Sequence, residues 1–504
     1  MKKSEKLIRN SAINLAGFVI PLLFGLVAIP IIIKGLGVER FGILSLVWVV
    51  FSYFGIFDFG IARATTKYIS EADAVGDKKK ISDVFWTSSV LQFLIGTVGA
   101  IAGYFLSPTL SHRVLKIPPH LFSEIVPTFQ VLFIMLPVVL LSSGFKGVLE
   151  AFQRFDLANY VKIPSNAFFF IIPAVAVQFH IGLFGITIML GMVRFVSVFF
   201  YFWMCLKIMP ELKKRVSFNT IAVKSTMAFG FWITISSVST FVISYIERFF
   251  IVSMLSPAQL GYYSAPYEML SRLTVLSVSI GITLFPAFSY EKALNSDKLG
   301  ELFIRSFKYL LILMMPILFV LYVFAGDILN IWLGLSFVEN SLVVFKVLLL
   351  TFFINGLAVI PFMAVQGLGR ADIKAKFDII ILILYSILVY FMIKTAGING
   401  AAWSKLFITL ADFVFLTAVS VFLIKFSAAA ISNFRIFRVI GFSILLVLSV
   451  PFLEMIKNKV LLFAASPIVL IVYVFLVIKK GMDEEEKKIF TGILRKWIKP
   501  FVAR

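Results

Sequence analysis

The chain has 504 residues but only one cysteine and 3 histidines, and charged residues make up 14% of it. Each shortage excludes something. Cys205, alone in an apolar run, forms no internal disulfide and is read as packing. His112 and His120 share a loop with no third ligand or acidic neighbour at metal spacing, so no metal site is expected there. No G-x-x-x-x-G-K-S/T phosphate loop is present, because Gly367-Leu-Gly-Arg370 and Gly35-Leu-Gly37 lack the lysine and the strand that the motif needs. No Ser-His-Asp set, zinc motif or dinucleotide fingerprint can be placed either. The chain is expected not to hydrolyse ATP, not to be an enzyme, and to hold no metal or cofactor.

What is present is apolar length. Hydrophobic residues make up 60% of the chain, above the share found in soluble domains. Runs of about 20 such residues, enough for a hydrocarbon core of roughly 30 Å, recur about twelve to fourteen times and leave no soluble domain between them. The fold class is therefore an all-α polytopic membrane protein, with spans near 11–33, 41–62, 85–106, 126–146, 161–180 and 183–206, two within 225–284 joined at Ser256-Pro257, then 303–324, 341–365, 377–395, 400–424, 438–454 and 461–478. The run after Lys2, Lys3, Lys6 and Arg9 is too long for a signal peptide and is expected to remain as the first span.

A net charge of +21 would suit nucleic acid if it were concentrated on a soluble face. Instead the basic residues gather in alternate loops, 63–84 and 207–224 among them. Such asymmetry sets topology and meets lipid headgroups, which places those loops and both termini in the cytoplasm. No nucleic-acid partner is expected. Beyond 478 the pattern changes: Ile489, Phe490, Ile493, Leu494, Trp497 and Ile498 share a helical face opposite Lys488, Arg495, Lys496 and Lys499. That pattern reads as an in-plane amphipathic helix on the inner leaflet, with a disordered basic tail as the alternative.

The sequence also repeats itself. Gln153-Arg-Phe-Asp-Leu157 aligns with Gly369-Arg-Ala-Asp-Ile373 at an offset of 216, and Leu36 to Gly42 resembles Leu255 to Gly261 at an offset of 219. Two six-span units plus two extra helices follow, with expected boundaries of 1–206, a basic connector at 207–224, 225–424, helices thirteen and fourteen at 425–478, and the tail at 479–504. Six is even, so both units enter the membrane in the same direction, and a transporter built this way keeps its substrate site where the repeats meet.

Charges stand where lipid disfavours them. An ionisable group in the middle of a span costs at least about 2.5 to 3.5 kcal/mol, so it faces a partner or a wet cavity. The set is Arg194, Glu247, Arg248, Glu268, Arg272, Lys346, Lys405 and Asp412, with Asp58 closing span two near the cytoplasmic surface. Pairing by neighbourhood joins Glu247 to Arg248, Glu268 to Arg272 one turn on, and Lys405 to Asp412 seven residues on. Arg194 and Lys346 are left over. An excess of cations in a shielded cavity suits an anion such as a pyrophosphate, which arginine holds in bidentate fashion. Asp58, Glu247, Glu268 and Asp412 are the acids available for ion coupling or charge pairing.

Lys34-Gly-Leu-Gly-Val-Glu-Arg-Phe-Gly42, Asp58-Phe-Gly-Ile61, Glu247-Arg-Phe-Phe-Ile251 followed by Leu255-Ser-Pro-Ala-Gln-Leu-Gly-Tyr-Tyr263, Ile331-Trp-Leu-Gly334 and Gln366-Gly-Leu-Gly-Arg370 occur in that order along the chain. In order and spacing the whole chain resembles the polysaccharide flippases, the Wzx-type O-antigen transporters of the multidrug/oligosaccharidyl-lipid/polysaccharide exporter superfamily. Where that family often has an aspartate before the arginine of span seven, this chain has Glu247. The resemblance implies fourteen helices in two six-helix lobes, a bacterial inner-membrane location, and export of an undecaprenyl-pyrophosphate-linked glycan by alternating access, with proton or Na⁺ coupling left open. It carries the anion-binding role to Arg194, Arg272 and Lys405, with Arg248 and Lys346 as further candidates. A polysaccharide polymerase and a chain-length regulator are the protein partners it implies. A multidrug cation exporter of the same superfamily and, more distantly, a membrane glycosyltransferase are the rival readings.

Overall fold

The computed structural model describes residues 24–54, 58–213, 238–239, 241–293, 298–424, 435–456, 458–484 and 486–487. The expected amphipathic face at 488–504, the start of the first span and most of the connector lie outside the described residues. Within them the chain is helical, with no strand. In lipid this is required, because the backbone polar groups of a spanning segment must be satisfied internally.

In chain order the helices are α1 (Phe24–Leu36), α2 (Val38–Tyr53), α3 (Ile61–Ala74), α4 (Lys78–Thr109), α5 (Phe122–Ile134), α6 (Leu136–Ala151), α7 (Phe155–Ala176) and α8 (Leu183–Ile208). Then come α9 at 241–254, α10 (Pro257–Ser271), α11 (Thr274–Ala293), α12 (Lys298–Val323), α13 (Ala325–Leu333), α14 (Leu335–Gly367), α15 (Ala371–Ile424), α16 (Ile436–Leu448), α17 (Val450–Glu454) and α18 (Lys459–Leu476). Among the described residues 9 helical segments are long and apolar enough to cross a membrane. The protein is an all-α, multi-pass membrane protein.

The side-chain pattern of α15 shows which medium it meets. Ile379, Ile380, Ile383, Leu384, Ile387 and Phe391 are exposed, whereas Ile381, Tyr385, Val389 and Ile393 are buried. An exposed apolar stripe along a helix is a liability in water and natural against acyl chains. A bend at Ala396 and Gly397, the latter at φ 57°, divides α15 into the two spans expected at 377–395 and 400–424.

The chain forms two compact units, one made of Met1–Met269 with Ala375–Ser404, the other of Leu270–Lys374 with Lys405–Arg504. In the first, α4 and α6 pack on each other and on α3, and α8 packs on α5, α6 and α7. In the second, α14 is the central element, against α11, α12 and α13.

Three expectations change here. The loop expected at 63–84 is largely helical: α3 buries Ile61, Ala64, Thr65, Ile69 and Ala72 on one face. Spacings of three and four define an amphipathic helix, which the many charges around it disguised. Span eight, expected to run unbroken to Leu284, is interrupted after Ser271. There Leu273 N–H donates to the Leu270 carbonyl and Val275 N–H to that of Arg272, both three residues back. Span two has its own interruption, since α2 ends at Tyr53 and Phe59 and Gly60 take positive φ before α3 begins.

The repeat is visible bond by bond. After α6, Phe152, Gln153 and Arg154 donate to the carbonyls of Val148, Glu150 and Leu149; after α14, Leu368, Gly369 and Arg370 donate to those of Ala364, Gln366 and Val365. Arg154 then pairs with Asp156 and Arg370 with Asp372. Ser70 Oγ donates to the Ala151 carbonyl at 3.2 Å, as Ser289 Oγ does to that of Gly367 at 3.2 Å. Both caps turn through a left-handed residue, Gln153 at φ 54° and Gly369 at φ 73°. That conformation strains any residue with a Cβ by about 1–2 kcal/mol. Gly369→Gln should therefore lower stability by about 1 kcal/mol, while Gln153→Gly should not lower it. Thermal unfolding of the detergent-solubilised variants tests both, and an unaffected Gly369→Gln would refute the strain argument.

Candidate functional site

Ser256 and Pro257 start α10: Ser256 Oγ accepts from Gln259 N–H at 3.2 Å, and proline suits the first helical position because its missing N–H has no intrahelical acceptor there. The turn brings α10 back along α9 and assembles a buried polar cluster. Arg248, fully buried, donates from Nη2 to Glu268 Oε1 at 2.9 Å. The rings of Tyr267 and Tyr245 stack on its guanidinium, at 4.4 and 5.2 Å from their centroids. Its Nε and Nη1 have no hydrogen-bond acceptor among the described residues. Glu247, also fully buried, accepts from Tyr385 OH of α15 at 3.0 Å and from Tyr263 OH at 3.5 Å.

The pairing expected from the sequence is thereby rearranged. Arg248 binds Glu268 on the next helix, not its neighbour Glu247, because adjacent helical residues point about 100° apart. Arg272 is half-buried at the break between α10 and α11. Asp412 accepts from Lys374 Nζ at 2.7 Å, across from α15's own start, in place of the expected Lys405. Lys405 is buried, 8% exposed, and its carbonyl accepts from Thr409 Oγ1. Lys346, expected to be unpaired, reaches Glu454 at 2.5 Å and lies over the Tyr322 ring.

Arg194 stands apart. It lies on α8 with its guanidinium 4.4 Å from the centre of the Phe169 ring. Its buried Nε has no acceptor, and no carboxylate pairs with it among the described residues. Asp58 is the anionic counterpart, 4% exposed. It accepts from Ala62 N–H at 2.7 Å, which caps α3, and from Gln92 Nε2 at 2.6 Å. Arg194, Asp58, Glu247, Arg248 and Glu268 belong to the first compact unit; Arg272, Lys346, Lys405 and Asp412 belong to the second.

Sequence reasoning missed Lys308, although it falls inside the expected span at 303–324. It is fully buried, bonds Glu486 at 2.6 Å, and Tyr309 OH donates to the same carboxylate at 3.0 Å. Glu486 is itself held in a reciprocal cap with Asp483, each accepting the other's backbone N–H at 2.8 Å. The signal was present: a lysine within an apolar run, and Asp-x-x-Glu, the spacing of a capping box.

Comparison with known proteins places this arrangement. Residues 7–291 match the family described as polysaccharide biosynthesis protein. The chain belongs to that family. A curated polysaccharide biosynthesis relative, "Putative O-antigen transporter" of Shigella flexneri, is 30% identical over 404 residues, covering 79% of this chain and 94% of the relative. The fold is that of the lipid II flippase MurJ in an inward closed conformation, with a TM-score of 0.73 at 14% identity, covering 92% of this chain and 97% of that one. It is also that of an inward-facing multidrug resistance MATE transporter of the MOP superfamily, at a TM-score of 0.69 and 13% identity over 82% of this chain and 99% of that one. The chain is thus a multi-pass membrane protein of the polysaccharide biosynthesis family.

Removing one partner from a buried ion pair strands the other charge, at about 3–5 kcal/mol. Arg248→Ala should accordingly lower the unfolding midpoint and membrane abundance. Arg248→Met with Glu268→Leu, which removes both charges, should recover much of the loss. A single variant as stable as the parent would show that the pair is not structural.

Proposed function

We propose that this protein is a flippase that carries an undecaprenyl-pyrophosphate-linked oligosaccharide repeat unit from the inner to the outer leaflet of the bacterial inner membrane. One observation carries the reading: the O-antigen transporter relative is 30% identical to this chain over 94% of its own length. In the proposed topology both termini are cytoplasmic and the lobes span 1–206 and 225–424.

The chemistry of the chain supports an anionic cargo. Arg194 is a cation without a carboxylate among the described residues, and Arg272 stands where α10 gives way to α11. Interrupted helices are where membrane transporters hold charged substrates, since freed backbone groups are tolerated only beside protein or a cavity. Arg194, Arg272 and Lys405 are each candidates to contact the pyrophosphate, while the polyprenyl tail stays in lipid. Arg248 and Lys346 move to structural pairing. With the inside negative, each negative charge moved outward gains about 2.3 kcal/mol per 100 mV.

Among the acids expected to couple an ion, Glu268 and Asp412 hold basic partners. Asp58 and Glu247 accept from neutral donors, so any proton coupling is assigned to these two. A polymerase and a chain-length regulator would act on the flipped unit.

Deleting the gene in its native host should leave lipid-linked repeat units on the cytoplasmic leaflet and abolish surface polymer. Normal polymer with altered sensitivity to cationic drugs would favour the multidrug exporter. In a complemented strain, Arg194→Ala and Arg272→Ala should each reduce export at unchanged membrane abundance by about tenfold or more, the scale of one charge-assisted hydrogen bond. An unchanged rate would remove that arginine from the path.

A further inference from the structure

A cavity of about 200 Å³ opens between α12, α14 and the corner where α16 gives way to α17, all within the second unit. Its walls are apolar. Met315 and Phe319 come from α12, Leu350 from α14, and Leu446 and Val450 from either side of the corner. Pro451 has no N–H to give the Val447 carbonyl, and the helix breaks beside it at Ser449, whose N–H is shared between the Leu445 and Leu446 carbonyls. Irregular backbone at membrane depth is tolerated where protein or a cavity covers it.

At one end the lining turns polar. Tyr322 and Glu454 stand there, each within a turn of the end of its helix, α12 at Val323 and α17 at Glu454, which is the level where tyrosines meet lipid head groups. Lys346, one turn before Leu350 on α14, reaches Glu454 at 2.5 Å and lies 4.8 Å from the centre of the Tyr322 ring. This pair differs from that of Lys308 and Glu486, whose side chains are 0% and 2% exposed. Lys346 and Glu454 are 24% and 42% exposed, so both charges can still be reached.

An apolar slot with a charged mouth at head-group level fits one chain of a lipid, and the mouth selects the head group. A head group with one charge of each sign can set its phosphate on Lys346 and its ammonium on Glu454, so that no charge faces its own kind alone. A purely anionic head group brings a phosphate beside Glu454 and nothing to answer that carboxylate. A choline ammonium has no N–H to donate, and the ring that would attract it, Tyr322, already covers Lys346. A primary amine meets every requirement.

We propose that this cavity binds a phospholipid with a primary-amine head group, one acyl chain lying between α12, α14 and α16 and the head group resting on Lys346 and Glu454. The site uses none of the residues assigned to the cargo, and it stands whether or not the flippase reading does.

Native mass spectrometry of the full chain released from detergent tests it. Phosphatidylethanolamine should be retained at concentrations about tenfold below those needed for phosphatidylglycerol or phosphatidylcholine with the same chains, the scale of one charge-assisted hydrogen bond. Lys346→Gln with Glu454→Gln, which removes both charges and keeps the cavity, should bring the three lipids to equal retention. Leu446→Trp, which fills the slot, should weaken retention of phosphatidylethanolamine by about tenfold, with the unfolding midpoint showing that the variant is folded. Equal retention of the three lipids by the parent overturns the proposal. So does an unchanged preference in the double variant, which decides the matter even where Leu446→Trp does not fold. Tighter retention of a polyprenyl phosphate than of phosphatidylethanolamine would give the slot to the tail of a lipid-linked glycan and overturn it as well.

Discussion

A guanidinium cannot be left bare in hydrocarbon, and the contact between Arg248 and Glu268 answers that constraint for the centre of the first unit. Its consequences spread outward. The ion pair ties α9 to α10, two tyrosine rings stack on its guanidinium, and Glu247 on the preceding position turns to α15 through Tyr385. Among its described residues the second unit uses the same device four times, with Lys308 to Glu486, Lys374 to Asp412, Lys346 to Glu454 and Lys459 to Asp327. Helices in a membrane gain little from apolar burial against one another, because lipid is equally apolar. Charge pairs between distant segments therefore specify which helices meet.

Against that background the exceptions gain meaning. Arg194 and Asp58 are buried charges whose described contacts are a ring and neutral donors. Arg272 stands at an interrupted helix. Buried charges held by neutral groups, as Arg194 and Asp58 are, remain available for a different task.

How far the sequence carried the structure follows from the same physics. The spans were legible because lipid imposes long apolar runs, and the 216-residue repeat was legible because each copy needs the same cap after its fourth span. Charge partners were not, since the rule of three or four residues along a helix finds local neighbours and the true partners lie on other helices. Lys308 was readable as a lysine inside a span, but nothing local points to Glu486. Helix α3 was hidden by its charges, and the break at Ser271 to Leu273 has no proline or glycine to announce it.

The Lys308–Glu486 pair also bears on how the protein is made. Its members are separated by 178 positions, so at common rates of synthesis the carboxylate is added roughly ten to forty seconds after the lysine. During that interval the Lys308 ammonium of α12 lacks the Glu486 carboxylate, and snorkelling toward the surface is open to it. The second unit gains this contact only after Glu486 has been added. A chain that stops short of Glu486 would therefore leave α12 without the contact that joins it to the last described turn.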